Sequence, residues 1–235
     1  MARYLTNALQ QAGFKTKVFA RQPRQADELG LETFEGHGDL QLICVSDDQI
    51  EALVRELPLK EGILAHVSGS VSMRTLQNHY GRAAVFYPLM SVAQNETWPI
   101  SEVPFCLEAA GQQDYQALLA LVKSLGAKAY PVNGAQRPYL HLAAVWAQNF
   151  GNYLLDISHR ITEDEEIDPL ILKPLMQKTV SALSEKRPIS RQSGPAIRGD
   201  EKTMQRHLAM LNRADWQDLY SALSQAVQKD YHDQL

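Results

Sequence analysis

One stretch of the chain, HLAAVWAQNFGNYLLD, carries histidine and asparagine side chains at spacings that suit a reaction site. In an α-helix of about 100° per residue, His141, Asn149 and Asn152 fall in one narrow polar stripe. Histidines exchange protons near neutral pH, and asparagines orient carbonyl or amine groups through hydrogen bonds. The stripe therefore predicts a cleft face, with His141 as proton donor or acceptor and both asparagines orienting a substrate, or else a solvated or interface face. The other faces are apolar, which predicts a helix of the hydrophobic core.

Small polar residues follow two apolar runs. Ser68 and Ser70 lie in HVSGS after GILA, and Ser46 and Asp47 lie directly after LICV. Glycine beside serine lets a ligand approach the backbone closely, which predicts that Ser68 and Ser70 contact a substrate or a nicotinamide ring. Ser46 and the amides at Asp47 would border the same cofactor, unless the aspartate only caps the following helix. A serine nucleophile is disfavoured, because HVSGS lacks the Gly-x-Ser-x-Gly turn.

Arg21 follows a predicted strand, Phe14–Ala20. After the second strand of a dinucleotide-binding unit, an acidic residue binds the ribose hydroxyls of NAD, whereas an arginine accommodates the extra phosphate of NADP. Arg21 is therefore a candidate NADP contact. The alternative is a surface arginine in a turn.

A basic loop, RQSGPAIRGDEK, lies in the last quarter of the chain, and Asp200 in it is positioned to cap the following helix. Such a loop could hold a phosphate or a substrate carboxylate, or it could be a solvated connector. The basic residues in and around it are Arg187, Arg191, Arg198, Lys202 and Arg206.

Strands alternate with helices from the N-terminus to about residue 132, which predicts a parallel or mostly parallel sheet covered by helices on both faces. Beyond that point the pattern becomes helical, beginning with one long helix from Ala135 to Thr162. We predict a Rossmann-like domain at residues 1–132 and an all-helical domain at residues 133–235, with a pocket at their junction. The elements predicted before the first buried strand are a helix at Ala2–Ala12, the strand Phe14–Ala20, a short helix at Arg24–Leu29 and a weak strand at Leu31–Phe34.

Composition excludes several classes of protein. The formal net charge of -4 gives no overall attraction to nucleic acid or to anionic membranes. The chain has no apolar stretch near the ~20 residues that span a bilayer and no secretory leader pattern, so we expect a cytoplasmic protein. The two cysteines, Cys44 and Cys106, lie in apolar runs and are expected to be buried thiols. No spacing of histidines or cysteines predicts a metal site.

Four stretches together, AHVSGSVSMRTL, VFYPLM, RPYLHLAAVWAQNFGNYL and QSGPAIRGDEKTMQRHLAML, resemble a known family. It is the Rossmann-like family whose C-terminal half is domain of unknown function 2520, related to pyrroline-5-carboxylate reductase. The resemblance covers the chain from Ala2 onward. It implies an NADP-dependent oxidoreductase with a Rossmann domain, followed by a helical domain that pairs two subunits.

The resemblance also implies an element before the first helix. Family members begin with a strand and a Gly-x-Gly-Asn-type turn that leads into the helix matched here by ARYLTNALQQAG, whereas only Met1 precedes that helix in this chain. Either the start lies on an internal Met, or the product is truncated at its N-terminus. We expect this form to bind NADP weakly or not at all, and an extended form to bind it.

Three functional hypotheses follow. The first is an NADP-dependent oxidoreductase that transfers a hydride between nicotinamide and a small carbonyl, imine or hydroxy acid. Its candidate catalytic residues are His141, Asn149, Asn152 and Ser68, and its candidate cofactor contacts are Arg21, Ser46, Asp47 and Ser70. The second is a non-catalytic dimeric protein that senses a nucleotide or metabolite, and the third is a truncated product without cofactor function.

Overall fold

The computed structural model describes residues 1–91, 98–181, 183 and 188–232. A five-stranded sheet forms its centre, with strand order β3-β4-β5-β6-β7. All neighbouring strands of this sheet run parallel except β5 and β6, which are antiparallel. The predicted Rossmann-like, mostly parallel sheet is therefore confirmed. The strands are β3 (Leu40–Ile43), β4 (Ile63–His66), β5 (Ala83–Pro88), β6 (Pro104–Ala109) and β7 (Lys128–Pro131).

Helices cover both faces of this sheet, because the central strands are apolar on both sides. Every residue of β4 and β5 is buried. Successive residues point to opposite faces, so Ala84 and Phe86 join one core cluster, whereas Val85 and Tyr87 join the other. The first cluster includes residues of α1 (Ala2–Gln11) and α4 (Gln112–Ser124), and the second includes residues of α2 (Ile50–Glu56) and α3 (Arg74–Gln77).

The segment after α1 differs from its prediction. Gly13 ends the helix with φ of +88°, which glycine adopts without a Cβ clash. The predicted helix at Arg24–Leu29 is wrong, since β2 (Glu28–Gly30) pairs in parallel with β1 (Val18–Ala20) as a second, two-stranded sheet. The predicted strand at Leu31–Phe34 is also wrong, since Leu31–Thr33 is a 3-10 turn. Pairing with β1 is a long-range interaction, and the local sequence pattern does not report it.

The long helix predicted from Ala135 to Thr162 is divided into three parts. An α-helix, α5 (Arg137–Ala144), passes into a π-helical turn at Val145–Phe150 and then into α6 (Gly151–Asp164). Large apolar side chains that were expected in the core are exposed in this helix, with Trp146 64% exposed, although Arg137 at its start is buried. The prediction of a core helix is therefore wrong for the chain by itself.

The chain divides into two compact units, Met1–Asp156 and Ile157–Leu235. The sequence pattern changes earlier, near residue 133, so the predicted domain boundary remains a prediction. The second unit is helical: a 3-10 turn at Pro169–Leu172 leads into α7 (Lys173–Ser181), followed by α8 (Pro195–Arg198), α9 (Glu201–Met210) and α10 (Ala214–His232). Among its described residues, Trp216 is the one that is buried. Within the described ranges, no helix combines the length and the apolar character needed to cross a membrane.

Candidate functional site

The loop after β4 is folded by the hydroxyl of Ser68. The Ser68 Oγ accepts the backbone N–H groups of Ser70 and Val71, each at 3.1 Å, and lies 3.3 Å from the Ser70 Oγ. Ser70 in turn donates its hydroxyl to the carboxylate of Asp47, in the turn after β3. Ser68 is buried, whereas Ser70 and Asp47 are exposed. The structure therefore brings three of the predicted residues together, and Ser70 with Asp47 forms the accessible edge of the group.

His66, the last residue of β4, supports this loop from inside the core. Its Nδ1 accepts the backbone N–H of Ser68 at 3.2 Å, which places the proton of the neutral ring on Nε2. Burial, assisted by the positive charge of Arg137, lowers the pKa of His66 to about 4. His66 is thus a neutral side chain that shapes the loop, a role that its position at the end of an apolar strand does not reveal.

His141 and Tyr87 form a pair above the same loop. The hydroxyl of Tyr87, on β5, lies 3.3 Å from Nδ1 of His141, on α5, and the two rings meet edge to face with centroids 6.4 Å apart. Burial raises the pKa of the Tyr87 phenol, so the hydroxyl stays protonated near neutral pH. His141 is exposed, and its pairing through Nδ1 leaves Nε2 available to a substrate.

Gly69 provides the space that this pair occupies. A Cβ at position 69 would lie 2.7 Å from Cζ of Tyr87 and 3.0 Å from Nδ1 of His141. Only glycine therefore allows the loop backbone to lie directly under the two rings. Sequence reasoning missed Tyr87, although a signal was available: it stands at the carboxyl end of the strand that follows HVSGS along the chain.

Arg137 anchors the start of α5 beneath the loop, and its side chain is 1% exposed. Its guanidinium contacts Glu108 on β6 and donates to the carbonyl oxygen of Val71 at 2.7 Å. Glu108 also accepts the backbone N–H of Gly134 at 3.0 Å. Sequence reasoning missed both charged residues, and the available signal was a glutamate inside the apolar run PFCLEAA.

Arg21 and Ser46 lie near the turn that carries Asp47. The Arg21 guanidinium contacts Glu56 at 2.9 Å and Gln49 at 3.4 Å, on and beside α2. Both partners of the Arg21–Glu56 ion pair are well exposed, so the pair is weak and the guanidinium can exchange it for a stronger anion. Ser46 is exposed at the start of the same turn. The phosphate and cofactor contacts expected of Arg21 and Ser46 stay predictions.

Asn149 and Asn152 lie further along the same helical run as His141. Asn149 lies in the π-helical turn, Asn152 lies in α6, and both are exposed. A π-turn closes hydrogen bonds from residue i to i+5, so the about 100° spacing behind the predicted stripe does not hold across it. Their substrate-orienting role stays a prediction, and so does a nicotinamide contact for Ser68.

The basic loop belongs to the second unit. Asp200 caps α9 by accepting the backbone N–H of Thr203 at 3.1 Å, as predicted. Hydrogen bonds from the Thr203 hydroxyl and from this N–H lower the pKa of Asp200. Arg206 donates to the hydroxyl of Thr203. Arg187 lies outside the described residues. Within the parts of the chain that the structure describes, no three histidines, cysteines or carboxylates are grouped to hold a metal ion.

Comparison with known proteins relates this geometry to a family and a fold. The model of the domain of unknown function DUF2520 matches residues 103–227, more than half of the chain. A protein from Bacteroides fragilis assigned as an NADP oxidoreductase is similar in structure, with a TM-score of 0.87, 27% identity, and coverage of 97% of this chain and 94% of that one. A search among curated proteins found no match.

Two more distant structures share the fold. Protein TM1727 from Thermotoga maritima has a TM-score of 0.73 and 20% identity, with 98% of this chain and 96% of that chain covered. The pyrroline carboxylate reductase of Plasmodium falciparum, solved with NADP bound, has a TM-score of 0.63 and 11% identity, with 96% and 94% covered. The fold of this chain is therefore the fold of NADP oxidoreductases and reductases.

Proposed function

This chain belongs to the DUF2520 family, and on that basis we propose that it is an NADP-dependent oxidoreductase. The reaction is hydride transfer between nicotinamide and a small carbonyl compound, imine or hydroxy acid. One observation carries the proposal: an exposed histidine, His141, is held by Tyr87 directly over the glycine loop at the carboxyl end of β4. In open α/β sheets, ligands bind at the carboxyl ends of the strands.

Three of the candidate cofactor contacts, Ser46, Asp47 and Ser70, follow β3 and β4 at this edge of the five-stranded sheet, whereas Arg21 follows β1 of the two-stranded sheet. Arg21 would bind the additional phosphate of NADP, and Ser46, Asp47 and Ser70 would border the ribose and nicotinamide. The exposed hydroxyl of Ser70, which donates to Asp47, supports this assignment. Bound NADPH supplies a hydride to the reacting carbon.

His141 supplies the proton in this proposal. In the imidazolium form, Nδ1–H donates to the Tyr87 oxygen, and Nε2–H is free to move to the carbonyl oxygen or imine nitrogen of the substrate. The substrate is reduced to an alcohol or amine once its carbon has received the hydride and its oxygen or nitrogen has received the proton. The neutral imidazole keeps its proton on Nδ1, which donates to the Tyr87 oxygen, so Nε2 serves as the base in the reverse direction. Asn149 and Asn152 would orient the substrate, and Ser68 would lie near the nicotinamide.

We further propose that two copies pair through their helical parts. Large apolar side chains are exposed in both units, including Trp146 at 64% and Leu175 at 65%. Trp216 is the buried side chain among the described residues of the second unit. Exposed apolar surface on this scale is typical of an interface, and most oligomers of one chain are symmetric dimers.

The test is NADPH oxidation with a panel of small carbonyl compounds and imines, together with a fluorescence titration of NADPH. Both assays are run on this chain and on an N-terminally extended form, so that the expectation of weak NADP binding by this chain is tested as well. We expect His141→Ala to lose about 10²- to 10⁴-fold in turnover with unchanged NADPH affinity, because general acid–base catalysis contributes that much. Unchanged turnover in His141→Ala would refute the catalytic role. Tight NADPH binding without turnover of any compound would favour the second hypothesis, a non-catalytic protein that senses a nucleotide or metabolite.

A further inference from the structure

The ion pair of Arg137 and Glu108 is a buried element that the proton transfer above does not use. The side chain of Arg137 is 1% exposed and that of Glu108 is 19% exposed. Charged groups are removed from water only at considerable cost, so a pair in this position calls for a structural or functional reason. The Arg137 guanidinium is almost wholly buried and contacts protein groups, which leaves it an indirect role.

The contacts of this pair join the elements that hold the reacting groups. One end of the Arg137 guanidinium contacts Glu108 on β6, and the other donates to the carbonyl oxygen of Val71, two residues after Gly69. Glu108 also accepts the N–H of Gly134, just before α5. The sheet, the glycine loop and the start of α5 are thereby fixed to one another through a single side chain.

His141 lies one helical turn after Arg137 on α5. Residues four positions apart lie on the same face of a helix, about 5–6 Å apart at Cβ. If the Arg137 guanidinium fixes the position and rotation of the first turn of α5, it also fixes where the His141 imidazole lies above the loop. The available space is narrow, since Nδ1 of His141 lies 3.0 Å from the position that a Cβ on residue 69 would occupy.

We propose that Arg137, held by Glu108, is a positioning residue that sets the imidazole of His141 against Tyr87 over the glycine loop. The inference rests on the proposed role of His141 in proton transfer. Arg137 would act through His141 and not by contacting substrate or cofactor. Its positive charge also acts on the surrounding core, where it lowers the pKa of His66 in addition to the larger effect of burial.

The test compares three variants of the full chain. Arg137→Met with Glu108→Gln removes both charges without leaving either unpaired, so folding is expected to survive. Arg137→Lys keeps a cation beside Glu108 but lacks the forked geometry that reaches Val71 at the same time. The matched control is Arg82→Met with Asp114→Asn, the same chemical change at an ion pair between α4 and the residue before β5.

Two NMR measurements give the readout. The nitrogen chemical shifts of the His141 imidazole report its tautomer, and a nuclear Overhauser effect between the Tyr87 and His141 rings reports their contact. We expect both Arg137 variants to lose this contact and to populate a mixture of tautomers, while the control retains the wild-type signals. With a turnover substrate, kcat should fall by about 10²-fold in the Arg137 variants with little change in KM.

Retention of the ring contact and the tautomer in both Arg137 variants would overturn the proposal, whatever their melting temperatures. Loss of the same signals in the control would also overturn it, because the effect would then follow from general destabilisation. The proposed function fails separately: if His141→Ala leaves turnover unchanged while the Arg137 variants lose the ring contact, the positioning is real and the catalytic role is not.

Discussion

Replacing Gly69 by alanine should separate Tyr87 from His141, because the added methyl group occupies the space where the two rings meet. The new carbon would lie 2.7 Å from Cζ and 2.9 Å from the hydroxyl oxygen of Tyr87, and 3.0 Å from Nδ1 of His141. The first distance is roughly 1 Å short of normal carbon–carbon contact. Tyr87 is buried in the core and has little room to move, so the loop backbone must shift away from it, and the exposed His141 must move as well.

The magnitude follows from the packing. Extra atoms in a well-packed region destabilise a protein by about 1–3 kcal/mol. For a chain of this size, each kcal/mol lowers the melting temperature by about 2–4 °C. Displacing His141 by about 1 Å should also lower turnover by about 10²-fold. Chemical denaturation measures the first effect, and the Tyr87–His141 Overhauser contact with NADPH oxidation measures the second.

Gly81→Ala is the matched control, because a Cβ there meets nothing within 4 Å and the backbone does not have a positive φ. The same substitution at position 81 should leave stability and turnover within the range of an ordinary surface change, about ±0.5 kcal/mol. If Gly69→Ala were as stable as the control and kept the Tyr87–His141 contact, the close approach of loop and rings would be disproved.

Two further predictions concern stability and assembly. His66 should make stability depend on pH: its folded pKa of about 4 is below the ordinary value of 6.5, so the unfolded chain takes up a proton first and stability falls as pH decreases from about 6.5 to 4. Relative to His66→Asn, which keeps an acceptor for the Ser68 N–H, the wild type should lose about 2 kcal/mol in urea denaturation between pH 7 and pH 5. Leu175→Lys should shift the proposed dimer toward monomer in light scattering, since it places a charge on an exposed apolar face, whereas Gln177→Lys should not. An equal mass for the wild type and the two variants would show that the face carrying Leu175 is not part of the interface.

The candidate site could be predicted in part, because some of its residues are recognisable from their position in the local sequence. Ser70 and Asp47 stand directly after apolar strands, and the parallel sheet brings strand ends to one edge, where the two side chains meet. Tyr87 and Arg137 could not be assigned in the same way. Their significance comes from partners 54 and 66 residues away, His141 and Val71, and a local pattern carries no information about such distances.

The polar stripe predicted for His141, Asn149 and Asn152 is a second case in which the local sequence was not sufficient. Equal spacing of about 100° per residue is a property of an α-helix, and it placed Asn149 and Asn152 with His141. The π-turn at Val145–Phe150 interrupts that spacing. Single π-turns are rare inside α-helices, so the regular spacing assumed from the sequence did not include one.

The sequence by itself determined the order and type of the main elements, because apolar runs and helical periodicity are local consequences of burial. It predicted the alternation of strands and helices around the apolar runs LICV and GILA, the cap at Asp200, and the mostly parallel sheet. Only the tertiary structure decided that β2 pairs with β1, that Gly69 lies under a Tyr–His pair, and that Arg137 is buried against Glu108. These are contacts between segments far apart in the chain, and they exist only once the whole core has closed.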